Sequence, residues 1–274
     1  MTKVKLAGEK ATLLPTLYGR ALDSQSPDSI LHDTMAYDAV QQIEVDFSTV
    51  GLRRGDDTAI ALRARCLDDW AREFLAAHPE CVVLHLGCGL DTRVYRIDPG
   101  PGVRWFDVDY PEVIELRGQL FPDRDGCTAI GASVTDPMWL AEIKGDLPVL
   151  VVAEGLFMYL REDEGKDLVR RVLDHFPSGQ FVFDGLSRRG TKLQKLNKAV
   201  QAAKATVHWG FDSCEELEAI DSRLRCVSSM SAFDLDNDRL PTGFRMTAKV
   251  SKVFTGMRNL AVFYRMDFQP SASG

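Results

Sequence analysis

The chain has 274 residues, 45% apolar and 27% charged, with a formal net charge of -7 and a pI near 5.3. That is chain enough for one large folded unit, or a unit with an appendage, and the acidic balance argues against a broad basic surface for nucleic acid. No apolar run approaches the roughly 20 residues of a spanning helix and MTKVKLAGEK has no secretory apolar core, so a cytoplasmic protein without membrane or nucleic-acid partners is expected.

Helical patterns dominate residues 30–78. In "TAIALRARCLDDWAREFLAA", Ile60, Leu62, Cys66, Leu67, Trp70, Phe74 and Leu75 share one broad face at 3.6-residue spacing, and Pro79 ends the pattern. Beyond it the pattern alternates. Short β-rich runs at Val82–Leu86, Val103–Val108, Thr128–Ala132, Pro148–Ala153 and Gln180–Phe183 enclose helical segments at Pro111–Leu120, Met138–Ile143 and Arg161–His175. Strand, helix, strand in succession predicts right-handed crossovers and a parallel sheet. Two late strands are expected at Leu224–Phe233 and Asn259–Phe268. Residues 188–220 are polar and helical in pattern and are expected to cap the carboxyl edge of the sheet. The architecture expected is an α/β, Rossmann-like sheet behind a helical start: residues 1–80 helical, 81–187 the cofactor-binding core, 188–220 a lid, and 221–268 the strands that complete the sheet.

The first strand runs into Gly87-Cys88-Gly89. Ligands of open α/β sheets lie beyond the carboxyl ends of the strands, and a glycine there lets the backbone turn sharply and meet a ligand without a Cβ in the way. The next strand, "VRWFDVDYP", carries Asp107 and Asp109, 20 and 22 residues after Gly87. A carboxylate at the end of the second strand can accept both hydroxyls of a ribose. The two acids fall on one side of the strand; Asp109 is preferred because it is nearer the end, beside Pro111. A dinucleotide fingerprint would place a third glycine where Thr92 stands, and Asp91 would repel a pyrophosphate. The same acid tolerates the amino group of S-adenosyl-L-methionine, so that cofactor is expected over NAD or FAD.

These segments, "GCGLDTRVYRI", "VRWFDVDYPEVIELR" and "LVVAEGLFMYL", resemble the leucine carboxyl methyltransferase superfamily, specifically its bacterial branch of tetracenomycin-type polyketide O-methyltransferases. "TLLPTLYGRALDSQSPDSILHD", "ALRARCLDD" and "HWGFDSCEELEAI" extend the resemblance over residues 12–268. It implies a class I methyltransferase sheet of seven strands, one antiparallel, with helices on both faces. It also implies roles. Arg63 matches the arginine that pairs with the methionine carboxylate, for which a guanidinium fork is well shaped. Gly87, Cys88 and Gly89 match the turn under the cofactor, Asp109 the ribose-binding acid, and Glu154 an acid facing the methionine portion. Ser133 and Val134 fall where the family holds adenine with an acid and an apolar residue; the acid is missing here, and Asp136 is the nearest substitute.

Methyl transfer from a sulfonium is a displacement in which alignment alone is worth roughly 7–11 kcal/mol, so no triad is required. A carboxylic acid, with a pKa of about 4, is ionised at neutral pH, whereas a phenol, at about 10, falls short by about 4 kcal/mol and invites a base. His208 is the histidine best placed for that role; His85 reads as a satisfied core residue. The sequence thus leans toward a carboxylate acceptor, with a hydroxyl as the alternative. Tyr18, Arg20, Tyr159 and Trp209 are expected to wall the acceptor pocket. The six cysteines form no metal-ligand pattern and read as free buried thiols. The reading is an S-adenosylmethionine-dependent O-methyltransferase acting on a small molecule. The alternatives are a protein C-terminal carboxyl methyltransferase, a nicotinamide-dependent oxidoreductase and a non-catalytic binding module. Acceptor identity and oligomeric state are left open by the sequence.

Overall fold

The computed structural model describes residues 8–194, 205–235, 238–243, 245–246 and 259–269. Seven strands form one sheet: β1 (Cys81–Leu86), β2 (Val103–Asp109), β3 (Cys127–Gly131), β4 (Val149–Ala153), β5 (Gly179–Leu186), β6 (Leu224–Ser231) and β7 (Ala261–Phe268), in the order β3-β2-β1-β4-β5-β7-β6. β1 to β5 are parallel, and β7 runs antiparallel between β5 and β6. The expected strands are all present, most displaced by one or two residues, as ends usually are.

The helices are α1 (Leu13–Ser24), α2 (Thr34–Gln42), α3 (Asp56–Ala77), α4 (Arg93–Ile97), α5 (Pro111–Leu120), α6 (Met138–Ala141), α7 (Glu162–His175), α8 (Arg188–Gln194) and α9 (Cys214–Glu218). Local chemistry fixes several boundaries. Asp33 accepts from the Ala36 amide to start α2, and Pro111 opens α5 where its missing N–H costs nothing. The α7 start reads as acids in the first turn, with the Glu164 carboxylate accepting from the Arg161 amide at 3.0 Å.

The two faces of the sheet are buried separately, because side chains alternate along a strand. Val82, Leu84 and Leu86 of β1 pack with α7 residues such as Leu168 and Val172, while Cys81 and Val83 pack with Leu67, Ala71 and Phe74 of α3. The buried stripe of α3 is narrower than expected. Ala61, Ala64, Cys66, Leu67, Ala71 and Phe74 are inside, but Ile60 and Leu62 are only half-buried and border a cavity. A third apolar cluster joins α1 and α2 to Leu90 and to Leu116 and Leu120 of α5, which ties the N-terminal helices over the turn after β1.

Two expectations need correction. Within 188–220, residues 195–204 lie outside the described residues; 188–194 and 214–218 are helical, but 205–213 is not. Val207, Trp209 and Phe211 are buried there, with Trp209 packed edge-on against Phe157 and Phe211. This stretch seals the core rather than presenting a polar cap, since three large apolar side chains gain more from burial than from water. The thiols also differ from expectation. α9 packs on β6 and joins Cys214 to Cys226 in a disulfide, with Cα atoms 5.9 Å apart; Cys66, Cys81, Cys88 and Cys127 are free. Among the described residues no helix is long and apolar enough to cross a membrane.

Candidate functional site

The sheet order reverses between β1 and β4, which opens a crevice at their carboxyl ends. Gly87 leaves β1 with φ +61° and its amide donates to the Val108 carbonyl at 2.8 Å; Gly89 follows with φ +51°. Both conformations favour glycine, and a Cβ on Gly87 would stand 3.0 Å from Leu156. Asp109, at the end of β2, completes the turn: its Oδ2 accepts from the Gly89 amide and its Oδ1 from the Tyr110 amide, each at 2.7 Å. Burial nonetheless raises the proton affinity of Asp109.

Here lies a cleft of about 190 Å³. All eight residues expected at the cofactor border it: Arg63, Gly87, Cys88, Gly89, Asp109, Ser133, Val134 and Glu154. Ser133 is paired through its hydroxyl with Thr135 at 2.8 Å, while Asp136 is exposed, accepts from the Met138 amide and does not border the cleft. Of the four residues expected around the acceptor, Arg20 and Tyr159 border the cleft. Tyr18 and Trp209 do not. Tyr18 is stacked on Phe47 with ring centroids 4.9 Å apart, and Trp209 belongs to the core. His208 is exposed and borders neither the cleft nor the neighbouring chamber.

Beneath the turn the charges are buried and paired. Arg93 donates to Asp68 and Glu154 at 2.6 Å each and lies 3.0 Å from Asp91; Arg96 reaches Asp68 and Asp91 at 2.6 Å. Arg20 adds contacts of 3.7 Å to Asp91 and 3.9 Å to Glu154. The expectation that Asp91 offers a bare negative charge is therefore corrected. Burial opposes its ionisation, but Arg20, Arg93 and Arg96 hold its carboxyl well below the usual range, because a buried charge is stable only when paired. Glu154 faces the cleft with its carboxylate already gripped by Arg63, at 2.8 and 3.0 Å, and by Arg93; against the cost of burial these arginines lower its proton affinity.

Sequence reasoning missed the layer that holds the turn. Arg117 of α5 donates to the carbonyls of Gly89 and Asp91 at 2.9 and 2.7 Å and pairs with the buried Asp107. Asp107 also accepts from Trp105 Nε1 and contacts His85 Nδ1 at 2.8 Å, so the acid not chosen for ribose has a supporting place one layer down. Thr92, at the third fingerprint position, donates its hydroxyl to Asp33 at 2.6 Å and so pins α2 to the turn. Asp184 was also missed. It stands two residues before the end of β5, takes the Gly155 amide at 2.6 Å and lies 3.6 Å from Arg63. It directly follows the strand expected at Gln180–Phe183, so the acid-at-a-strand-end rule that selected Asp109 would have found it.

A second, larger chamber of about 620 Å³ adjoins the cleft. Thr12, Thr16, Arg63, Met158, Tyr159 and Gln194 border both spaces and form the neck between them.

Comparisons with known proteins bear on the family and the fold. Residues 14–173 match the family model described as leucine carboxyl methyltransferase. The chain is 44% identical over 231 residues to the tetracenomycin polyketide synthesis O-methyltransferase TcmP of Streptomyces glaucescens, covering 84% of this chain and 86% of that protein. It is 35% identical to the S-adenosyl-L-methionine-dependent methyltransferase dpfgK of Gibberella zeae, covering 79% and 80% respectively. Among solved structures, a candidate methyltransferase from Thermobifida fusca YX superposes with a TM-score of 0.61 at 17% identity, over 96% of each chain, and shares the fold.

Proposed function

The chain belongs to the leucine carboxyl methyltransferase family and is an S-adenosylmethionine-dependent O-methyltransferase; from that premise we propose that the cleft holds the cofactor and that a small-molecule carboxylate is the methyl acceptor. The observation that carries the proposal is the pairing of a glycine turn with Asp109 on one wall and the Arg63 guanidinium on the other. The residues present suit this cofactor. The turn leaves main chain bare at Gly87 and Gly89, and the buried Nε of Arg20, at the cleft wall, has no hydrogen-bond partner. In this reading Asp109 accepts the ribose hydroxyls, Arg63 takes the methionine carboxylate, and Glu154 positions Arg63. Val134 and Ser133 hold the adenine edge. Arg117 keeps the turn in shape from below through the Gly89 carbonyl. Residues 81–187 then form the cofactor core, with the N-terminal helices and the last strands closing the acceptor side.

Bound there, S-adenosylmethionine supplies an electrophilic methyl on a cationic sulfur. The protein's part is alignment and exclusion of water at the neck, where Met158 and Tyr159 stand. Alignment is the larger share of what such a displacement needs. A carboxylate acceptor is favoured because the family description names a carboxyl and because a group with a pKa of about 4 reaches the neck already ionised. The similarity to a tetracenomycin polyketide methyltransferase supports a specialised metabolite as its carrier. The test is transfer of tritiated methyl from S-adenosylmethionine into a metabolite extract, followed by mild base. Label released by base is an ester and supports the proposal; label that survives base is an ether and removes the carboxylate assignment.

A further inference from the structure

One stretch of the cleft wall carries no charge. It is the loop after β3, of which Ala132, Ser133 and Val134 border the space. The carboxylates that border the cleft are committed elsewhere: Asp109 to the Gly89 and Tyr110 amides, Asp91 and Glu154 to arginines. Asp136 is exposed and accepts from the Met138 amide. The loop itself is pinned. The Ala132 amide donates to the Asp109 carbonyl at 2.8 Å, and the Asp136 amide to the Ser133 carbonyl at 3.0 Å. The Val134 carbonyl accepts from Trp139 Nε1 at 3.3 Å and from Arg171 at 3.2 Å. The polar side chain of this wall is therefore the Ser133 hydroxyl, on a main chain held in place on both sides of it.

That hydroxyl has a partner that works in either direction. Ser133 Oγ and Thr135 Oγ1 are 2.8 Å apart, either able to donate, and the Thr135 amide donates to Ser133 Oγ at 3.3 Å. We infer that Ser133 and Thr135 form a two-way reader of the purine 6-position, so that the site takes a nucleoside bearing either an amino or an oxo group there. The inference rests on the cleft being the cofactor site, with the base against Ser133 and Val134. Ser133 has one O–H and two lone pairs, and the Thr135 amide occupies one lone pair throughout. When Ser133 donates to Thr135, its second lone pair is left to accept from an amino group. When Thr135 donates to Ser133, that lone pair is filled and the Ser133 O–H is left to donate to an oxo group. The exchange needs two hydroxyl rotations and no movement of heavier atoms. A carboxylate in the place of Ser133 would have lone pairs only; it would select the amino group and repel the oxo group. Val134 meets the face of either ring alike.

The test is calorimetry of the full chain with S-adenosylhomocysteine and with S-inosylhomocysteine, in wild type, Ser133→Asp and Ser133→Ala. The inosyl ligand differs by an oxo group at position 6 and a proton on ring position 1. The wild type should bind the two within about tenfold of each other, and Ser133→Asp should raise the preference for the adenosyl ligand by about tenfold or more over wild type. The effect of ring position 1 is common to both proteins and cancels in that comparison. Ser133→Ala should weaken both ligands by about threefold or more, the size of one neutral hydrogen bond, and keep their ratio; it carries the test if Ser133→Asp does not fold. A larger wild-type preference, a ratio unchanged in Ser133→Asp, or unchanged affinities in Ser133→Ala overturns the inference. Failure of the wild type to bind either ligand strikes the cofactor assignment instead.

Discussion

Asp109 does two jobs at once. It accepts from the Gly89 and Tyr110 amides, which fixes the turn, and it borders the cleft with lone pairs to spare. Asp109→Ala should weaken S-adenosylhomocysteine binding by about 2 kcal/mol, roughly 30-fold, the size of a lost charge-assisted hydrogen bond; calorimetry reads it directly, and unchanged affinity would take Asp109 out of the site. Burial raises this carboxyl above its ordinary 3.8. Because the ionised form is the one that accepts, affinity should be full at neutral pH and fall as the pH drops through a midpoint higher than that of a free aspartate. Asp107, two residues earlier, is tuned the opposite way. Burial opposes its charge, but Arg117 and His85 hold it at about 2. Two acids of one strand, both within reach of the same turn, are thus separated in role by what surrounds each.

At the scale of elements, the stretch after α8 is the instructive case. Its aromatics suggest a pocket wall when read along the chain, yet Trp209 lies in the core, against Phe157 and Phe211 and over Gly165, where an added Cβ would collide with its ring. Trp209→Ala should therefore cost about 3–5 kcal/mol of stability, as large-to-small core changes do, and leave S-adenosylhomocysteine affinity within about threefold. Denaturant unfolding and calorimetry on one preparation separate the two effects. A stable variant with impaired ligand binding would return Trp209 to the site. α3 shows the reverse error. Its periodicity marks Ile60 and Leu62 as core, but the sheet is met by Cys66, Leu67, Ala71 and Phe74, Ala61 and Ala64 pack with Leu31, and Ile60 and Leu62 are left at the chamber. Hydrophobic spacing finds the apolar stripe of a helix but not which of its edges meets protein and which meets a cavity.

For the whole molecule, the consequence of this architecture is a dense set of buried ion pairs under one turn, linking α1, α2, α3, α4 and α5 to the ends of β2 and β4. A carboxyl whose folded value is below its unfolded value adds stability that is present above the unfolded value and lost as the pH falls to the folded one. For Asp107 the window runs from 3.8 down to about 2, and the contribution lost is about 2 kcal/mol. Glu154 and Asp91 are lowered as well and add loss in the same direction. Asp109 and Asp184 are raised by burial and act oppositely, gaining stability when they protonate. The lowered set lies in the network, so the urea midpoint should fall between pH 4.5 and 2 and Asp107→Asn should flatten that fall. An unchanged midpoint across the window would mean that these pairs do not contribute to folding.

The order of strands and helices, the glycine turn and the acid that serves it were legible in the sequence because each depends on neighbours in the chain. Period-2 and period-3.6 patterns set the elements, and Gly87, Gly89 and Asp109 fall at fixed offsets from strand ends. Tertiary structure alone decided which charges are bare and which are paired, as Asp91 shows, and which aromatics face a ligand and which face the core, as Trp209 shows. It alone opened the second chamber, whose walls come from residues as far apart as Pro15 and Phe263. The physical reason is that pairing and enclosure depend on distance in space between groups far apart in the chain, and local spacing carries no measure of that distance.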